Sequence, residues 1–153
     1  MDADQRRQAR EVLAQVPIFG GLPDSAMDRL LDLMKRRAFA AGETICAEGE
    51  RAGEMFVVHV GAVEVRKRAR DGSRETCLAQ LRAGDCFGEM ALIDIQPRSA
   101  SVIACAPTEL YVLSNMDLYA LYQEDLASYT FFLQNLCREL SRRLRKADGA
   151  LAE

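Results

Sequence analysis

Apolar residues near the N-terminus recur at helical spacing in two short segments. In residues 4–16 they form one face, which Pro17 ends because proline has no amide hydrogen with which to continue a helix. Ser25 and Asp28 have the spacing of a capping box, which marks the start of a second helix. Its apolar positions are Met27, Leu30, Leu31 and Met34. The pattern therefore predicts two N-terminal helices, the second ending near Arg36.

From residue 38 to residue 113 the pattern changes to short apolar or alternating runs. These runs lie at 44–46, 55–60, 63–65 and 100–112. Glycine or Asp-Gly turns separate them, at Gly42, Gly49, Gly53, Gly61, Asp71-Gly72 and Gly84. Evenly spaced short strands with turn residues between them favour an all-β barrel or sandwich over βαβ units.

Helical spacing returns after Leu113. Ser114 and Asp117 again have capping-box spacing, ahead of a short helix through Leu118 and Leu121. A longer helix is predicted from about residue 126 to residue 146, with residues 147–153 frayed. Its seam is Leu126, Tyr129, Leu133, Leu136, Leu140 and Leu144. This seam must pack on the strands or on a partner.

The elements together predict one α+β, mainly β, domain over residues 1–153. Helices occupy 1–37, a β-roll or jelly-roll barrel occupies 38–113, and two C-terminal helices occupy 114–147. A short helix is expected inside the segment 86–102.

Composition excludes several classes of protein. The net charge of −3 argues against nucleic acid as the main partner, and no apolar run approaches the length of a membrane span. The five cysteines, none in a Cys-x-x-Cys pair, favour neither disulfides nor a zinc site. Most of them lie among apolar residues, so we expect small buried thiols in a reducing, cytoplasmic protein.

The segment 86–102 carries the candidate chemistry. A short helix that begins directly after Gly88 would present free backbone N–H groups, which attract anions such as phosphate. Arg98, behind Pro97, could close over the same anion, while Glu89 suits a sugar hydroxyl. From spacing alone, a Glu89–Arg98 salt bridge that only braces a loop is an equal alternative.

Two sequence runs resemble the phosphate-binding cassette of the cyclic nucleotide-binding domains, of the catabolite activator protein and protein kinase A regulatory subunit type. They are Phe87-Gly88-Glu89-Met90-Ala91-Leu92 and Pro97-Arg98-Ser99-Ala100-Ser101-Val102. Weaker likenesses occur in the family's order at Val16-Pro17-Ile18-Phe19, at Gly61 to Val65 and at Gly84-Asp85. The resemblance thus extends over nearly the whole chain.

The resemblance implies a ligand site and assigns roles within it. Glu89 would bind the ribose 2′-hydroxyl and Arg98 the cyclic phosphate. The remaining cassette positions of the site are Phe87, Gly88, Met90, Ala91, Ser99 and Ala100, with the Met90 and Ala91 N–H groups, together with Ser99, on the phosphate. Apolar contacts to the base are expected from Val65, Leu78 and Leu81. Ser99 follows the arginine, where cGMP-preferring relatives often carry threonine, so cAMP is favoured as the ligand and cGMP is the alternative.

In relatives, binding moves the cassette and a following hydrophobic hinge, and a long helix then covers the base. Leu118 has the hinge position here. Candidates for the contact that caps the base are Tyr129, Phe132, Arg138 and Arg142. Phe131 and Phe132 are favoured as packing residues, and the arginine-rich end of the long helix as a solvated face.

Neither a helix-turn-helix nor membrane helices are found in the chain, so we expect a stand-alone sensor acting through a protein effector, or a fragment of a longer protein. Two other classes remain. A metal-dependent enzyme would need more histidines than His59 alone, so no metal and no enzymatic activity are expected. The last class is a nucleotide-independent interaction protein that forms a homodimer through the C-terminal helix.

Overall fold

The computed structural model describes residues 1–152, which form four α-helices and eight β-strands. The helices are α1 (Ala3–Leu13), α2 (Asp24–Leu33), α3 (Asn115–Glu124) and α4 (Leu126–Ala152). The strands are β1 (Lys35–Phe39), β2 (Thr44–Cys46), β3 (Glu54–Val60), β4 (Ala62–Arg68), β5 (Glu75–Arg82), β6 (Cys86–Phe87), β7 (Ser101–Ala104) and β8 (Thr108–Ser114). Short 3₁₀ helices occur at Pro17–Phe19 and Glu89–Leu92.

The strands form two antiparallel sheets of four. The first sheet has the order β1-β8-β3-β6 and the second the order β2-β7-β4-β5. Among the described residues no strand pairs across the two sheets, so the arrangement is a jelly-roll sandwich rather than a closed barrel. The predicted class, mainly β with helices at both ends, is confirmed.

The central strands β3 and β8 of the first sheet are buried on both faces, which explains their continuous apolar runs. Phe56 and Val58 of β3 pack toward the second sheet, in a core that contains residues of both sheets. The alternate residues Met55 and Val57 belong to a second core, shared with the helices. In β8 the paired residues follow the same division, because the register is Phe56↔Val112 and Val57↔Tyr111.

The N-terminal helices end earlier than expected. The second helix was predicted to reach Arg36, but it ends at Leu33, and Lys35 already pairs with β8. Pairing with β8 outweighs the helical spacing of the sequence. The capping-box assignment of Ser25 is also wrong, because the helix begins at Asp24 and Ser25 lies inside its first turn.

The C-terminal helices differ from expectation mainly in which face is buried. The Ser114–Asp117 capping box is confirmed, with Asp117 N–H donating to Ser114 Oγ over 3.0 Å. α4 continues to Ala152, so the predicted fraying from residue 147 is wrong up to that residue. The predicted seam is only partly buried, because its end members Leu126 and Leu144 are exposed. The residues of α4 that pack on the helical core are Tyr129, Phe132, Leu136 and Leu140.

The cysteines are less buried than expected. All five are free thiols, but only Cys46 is buried and Cys86 half-buried. Cys77, Cys105 and Cys137 are exposed: they lie on the edge strand β5, in the turn between β7 and β8, and on the outer side of α4, respectively. Within residues 1–152, none of the helices combines the length and apolarity needed to cross a membrane.

Candidate functional site

Gly88 sets the geometry at the start of the candidate site. The short strand β6 pairs with β3, and the rings of Phe87 and Phe56 stack with centroids 5.0 Å apart. Directly after it, Gly88 takes φ +79°, in the left-handed region that favours glycine. A Cβ at this position would lie 2.8 Å from Arg98 Nη1 and 2.8 Å from the Glu54 carbonyl oxygen. Only glycine therefore lets the chain pass this close to Arg98.

Arg98 is held by backbone contacts rather than by an acid. Its N–H donates to the Glu50 carbonyl oxygen over 2.8 Å, and its own carbonyl accepts from Gly49 N–H over 2.8 Å. The guanidinium donates from Nη2 to the Glu54 carbonyl oxygen over 2.9 Å, and Nε is buried without a partner among the described residues. The guanidinium thus has unused donors, and within residues 1–152 it has no carboxylate in ion-pair contact, which favours an anion as its partner.

The positive charge of Arg98 also acts on Cys46, in the core between the sheets. Burial raises the pKa of the Cys46 thiol to about 11, and the charge of Arg98 opposes that rise.

A cavity of about 350 Å³ joins Arg98 to the segment that contains Glu89. Its lining is Gly88, Glu89, Met90, Ala91, Asp94, Gln96, Pro97, Arg98 and Ser99. Of the two N–H groups expected to bind phosphate, that of Ala91 donates to the Gly88 carbonyl over 3.1 Å. The N–H groups of Glu89 and Met90 make no hydrogen bond within the described part of the chain. The unbonded N–H groups are thus those of Glu89 and Met90, one residue earlier than the predicted pair Met90 and Ala91.

Glu89 is almost completely buried, and its partner is a residue that the sequence analysis did not select. The side chain forms an ion pair with Arg143 of α4, 54 positions along the chain, through Oε1. No ion pair joins Glu89 to Arg98 among the residues that the structure describes, so the loop-bracing salt bridge is not formed. No local sequence signal marks Arg143, because the contact depends on where α4 lies against the sheets.

The residues expected to contact a base differ in exposure. Val65 and Leu81 are half-buried and pack on the core between the two sheets. Leu78 is 57% exposed on β5, the edge strand of the second sheet. Phe87 is buried, whereas Ser99 is exposed and Ala100 half-buried. Leu78 is therefore a solvent-exposed apolar side chain.

Leu118, the predicted hinge residue, packs with the cassette in the core that also contains the C-terminal helices. Leu118 of α3 is buried in the helical core, and Leu92, at the end of the short helix 89–92, belongs to the same core. Both residues also line a groove of about 450 Å³ with tyrosines of α3 and α4. A shift of the short helix 89–92 would therefore change the packing of α3.

Of the four candidates for capping a base, one is excluded by its packing. Phe132 is fully buried, and its ring lies 5.4 Å from that of Phe19. Tyr129 is half-buried and its ring makes an edge-type contact with that of Tyr122, with centroids 5.2 Å apart, while Arg138 and Arg142 are exposed. Phe131, expected to pack, is 44% exposed. Neighbouring residues of α4 thus have opposite environments because they are 100° apart around the helix.

The described residues contain no group of three or more His, Cys, Asp or Glu side chains that could hold a metal ion. His59 stacks on Tyr111 with ring centroids 4.9 Å apart and lies 4.0 Å from Glu109. Its surroundings are those of a packed aromatic side chain.

The sequence is similar to a known protein family and to individual proteins. The family model described as cyclic nucleotide-binding domain matches residues 36–125. The CRP-like cAMP-activated global transcriptional regulator of Mycobacterium tuberculosis is 36% identical over 143 residues, which cover 94% of this chain and 62% of the relative. The cGMP-dependent protein kinase egl-4 of Caenorhabditis elegans is 30% identical over 104 residues, 68% of this chain and 13% of the kinase.

Among solved structures, the N-terminal domain of a transcriptional regulator from Streptomyces coelicolor superposes with a TM-score of 0.79 at 31% identity. The match covers 92% of this chain and 94% of that domain. The chain thus spans about three fifths of the M. tuberculosis relative and nearly all of the isolated S. coelicolor domain. Because relatives are named as transcriptional regulators, the expectation that nucleic acid is not a partner has no support from these comparisons.

Proposed function

Because this chain belongs to the cyclic nucleotide-binding domain family, we propose that it is a regulatory sensor that binds cAMP reversibly in the cavity between Glu89 and Arg98. The domain is a binding module without enzymatic activity, and it operates in the cytoplasm. The observation that carries the proposal is the partly buried, carboxylate-free guanidinium of Arg98, facing a cavity with free backbone donors.

The charges of the cavity favour a cyclic nucleotide over a neutral ligand. A cyclic phosphodiester has one negative charge and acceptor oxygens that match the paired donors of a guanidinium. The Glu89 carboxylate accepts a hydrogen bond from the ribose 2′-hydroxyl. The ionised phosphate has no hydrogen to donate to it. A volume of about 350 Å³ is at the lower end of the range for small-molecule pockets. The sugar phosphate therefore occupies this cavity while the base extends out of it.

The base lies against the second sheet, where Val65, Leu78 and Leu81 offer apolar surface. The 57% exposure of Leu78 supports this placement, since a base would cover it. Ser99 beside Arg98 favours cAMP, in keeping with the resemblance described above, and a hydroxyl there also leaves guanine contacts within reach. Because one relative is named for cAMP and another for cGMP, the preference between the two nucleotides must be measured.

The signal passes from the cassette to α3 and α4. Movement of Leu92 with the short helix displaces Leu118, because the two residues share one core. The exposed apolar residues Leu126 and Leu144 of α4 favour a protein partner for this helix, either an effector or a second copy of the chain. Sedimentation with and without cAMP separates the two, since only a second copy changes the mass of the pure protein.

Isothermal titration of the purified protein with cAMP and with cGMP tests the proposal. We expect micromolar or tighter binding of cAMP, weaker binding of cGMP, and loss of both in Arg98→Gln. Arg70→Gln is the matched control, because Arg70 is exposed on the β4–β5 hairpin, away from the cavity. Absence of heat with both nucleotides, after the protein has been unfolded and refolded to remove bound ligand, would exclude the proposed function.

Ser99→Thr tests the preference for the base. We expect the ratio of cGMP to cAMP affinity to rise in this variant and to stay unchanged in Ser101→Thr. A wild-type protein that binds cGMP more tightly than cAMP would replace cAMP with cGMP in the proposal.

A further inference from the structure

The hairpin between β4 and β5 extends beyond the second sheet as a two-stranded arm. β4 pairs with β7 only from Val63 to Arg66, whereas its pairing with β5 continues to Arg68 and Glu75. β5 is the edge strand of the sheet, so within the described chain the arm has no strand beside it on that side either. Residues 67–76 form this basic arm, and all of them are exposed except the half-buried Ala69. The basic arm therefore projects from the fold into solvent.

The basic arm carries four basic side chains without acidic partners: Lys67, Arg68, Arg70 and Arg74. None of them takes part in an ion pair within residues 1–152, although Glu75 lies opposite Arg68 in the register. Arg66, the last residue before the arm, does pair, with Glu64. Arginines elsewhere in the fold also pair with acids, namely Arg6, Arg7, Arg10, Arg29, Arg36 and Arg37. The four charges of the basic arm are thus open to a partner from outside the chain.

The turn that closes the basic arm is held by its own hydrogen bonds and does not use the arginine side chains. Asp71 Oδ1 accepts from the Ser73 hydroxyl over 2.6 Å and from Ser73 N–H over 2.9 Å, and these bonds lower the pKa of the Asp71 carboxyl. Ala69 N–H donates to the Arg74 carbonyl oxygen over 2.9 Å. Arg70 and Arg74 line one concave surface at this end of the arm. The turn thus has a defined shape that presents the two guanidinium groups together.

Charge repulsion within the basic arm opposes folding. Lys67, Arg68 and Arg70 lie within about 10 Å of one another along the chain, which is about the Debye length at 0.1 M salt, so their charges repel. The arm has a net charge of +2 in a chain of net charge −3, so the remaining residues carry −5. A local accumulation of charge that is opposite in sign to the rest of the chain, and that the fold does not use, favours an anionic ligand.

The distribution of charge over the arm distinguishes between polyanions. Side chains alternate between the two faces of a ribbon, so Arg68 lies on one face and Lys67 on the other, and Arg74, opposite Ala69, shares the face of Lys67. A flat lipid surface would contact one face only, and residues 67–76 contain no large apolar side chain that could enter it. The major groove of duplex DNA admits a two-stranded ribbon and has phosphates along both sides. The arrangement therefore favours duplex DNA over a membrane.

We propose that the basic arm is a contact surface for duplex DNA, on which its four basic side chains bind backbone phosphates. A guanidinium can donate two parallel hydrogen bonds to one phosphate, which suits the three arginines. Four such contacts give a salt-dependent affinity without recognition of sequence. The inference goes beyond nucleotide binding and does not depend on it, because no residue of the arm lines the cavity at Arg98.

Fluorescence anisotropy with a labelled DNA duplex of about 20 base pairs tests the proposal. For four phosphate contacts, the logarithm of the affinity should fall with the logarithm of the salt concentration at a slope of about −3.6. Doubling the salt from about 50 mM should therefore weaken binding about 12-fold. Absence of binding at about 50 mM salt, or a slope near zero, would overturn the proposal.

Neutralising the three arginines identifies the contact surface. The variant is the triple substitution Arg68→Gln, Arg70→Gln and Arg74→Gln. Its affinity for the duplex should fall at least about tenfold, and its salt slope should approach about −0.9, because Lys67 alone remains. The charge-retaining variant Arg68→Lys, Arg70→Lys and Arg74→Lys should keep the slope of the wild type. Unchanged binding by the glutamine variant, or loss of binding in the lysine variant, would contradict the phosphate contacts.

A matched control removes the same charge from exposed side chains that are not clustered. It is the triple substitution Lys35→Gln, Arg51→Gln and Arg82→Gln. This control should keep the salt slope of the wild type. Equal losses in the control and in the arm variant would show an effect of net charge alone and overturn the proposal. The same holds if binding depends on the basic end of α4, which the triple substitution Arg138→Gln, Arg142→Gln and Arg145→Gln tests.

Stability and nucleotide affinity give independent readouts of the arm variant. The glutamine variant should unfold at the same urea concentration as the wild type or a higher one, since it relieves repulsion; a lower midpoint would contradict the argument that the fold does not use these arginines. Its affinity for cAMP should be unchanged. A protein that binds DNA but no nucleotide refutes only the proposed function, and one that binds nucleotide but no DNA refutes only this inference.

Flotation with vesicles of phosphatidylserine and phosphatidylcholine tests the competing polyanion. We expect no binding that the three arginine substitutions abolish. Binding to vesicles through the basic arm, without binding to the duplex, would assign the arm to a membrane surface and overturn the proposal.

Discussion

Replacing Gly88 with alanine tests whether this glycine is required by the close approach of the chain to Arg98. The added Cβ would lie 2.8 Å from both Arg98 Nη1 and the Glu54 carbonyl oxygen, and a normal carbon contact is longer. The guanidinium can shift, but the carbonyl belongs to the backbone of β3 and cannot. The hydrogen bond from Arg98 Nη2 to that same carbonyl would be displaced. We therefore expect both a loss of stability and a loss of anion binding.

Gly72→Ala separates this close approach from backbone strain. Gly72 has φ +72°, nearly the +79° of Gly88, and an added Cβ there has no neighbour within 4 Å. Each substitution incurs the cost of a left-handed alanine, about 1–2 kcal/mol, partly offset by lower unfolded-chain entropy. Only Gly88→Ala adds overpacking, about 1–3 kcal/mol more. The difference between the two variants is thus about 2 kcal/mol.

Urea unfolding followed by circular dichroism measures this difference, since the chain has no tryptophan. The midpoint should fall further for Gly88→Ala than for Gly72→Ala at equal slope. Nucleotide affinity should fall for Gly88→Ala and remain unchanged for Gly72→Ala. Equal stability of the two variants, or normal binding by Gly88→Ala, would refute the argument that Gly88 sets the position of Arg98.

Three further outcomes follow from the packing and the thiols. Phe132→Ala should cost about 3–5 kcal/mol of unfolding free energy because it opens a cavity beside the core, whereas Phe131→Ala should cost less than about 1 kcal/mol; similar losses would contradict the assigned faces of α4. Ser114→Ala removes a confirmed cap and should cost about 1 kcal/mol, measured in the same urea titration; an unchanged midpoint would contradict it. Because burial raises the pKa of Cys46 to about 11, its thiolate should be about 100-fold scarcer near pH 8 than that of an ordinary thiol. Native-state alkylation followed by mass spectrometry should therefore label Cys137 well before Cys46, and labelling of Cys46 should rise as the pH approaches its pKa; equal rates at pH 8 would contradict the burial.

Local pattern was enough to predict most of the elements. Period-2 and continuous apolar runs identify strands because side chains alternate between the two faces of a sheet. The capping box at Ser114 is a local interaction over three residues, so the sequence states it directly. The errors lie where a distant partner competes, as at Lys35, which pairs with Val112 in β8 instead of extending α2.

In the candidate site, too, the residues close together in sequence were predictable and the distant one was not. Gly88, Glu89, Arg98 and Ser99 lie within twelve consecutive positions, and one segment brings them to a single cavity. Their selection from the sequence needed only local geometry and the resemblance to a family. Arg143 had no such signal, since an arginine in a basic helix end is usually solvated.

The sequence by itself determined the order of elements, the glycine turns and the cassette with its acid and its arginine, because these depend on backbone preferences and contacts within a few residues. Only the tertiary structure decided which partner each charged group has. Glu89 pairs with Arg143 rather than Arg98 because the packing of α4 brings residue 143 to the cassette. The same packing buries Phe132 in the core and leaves Phe131 exposed. Contacts across tens of residues depend on how helices and sheets pack, and a pattern along one chain does not contain that geometry.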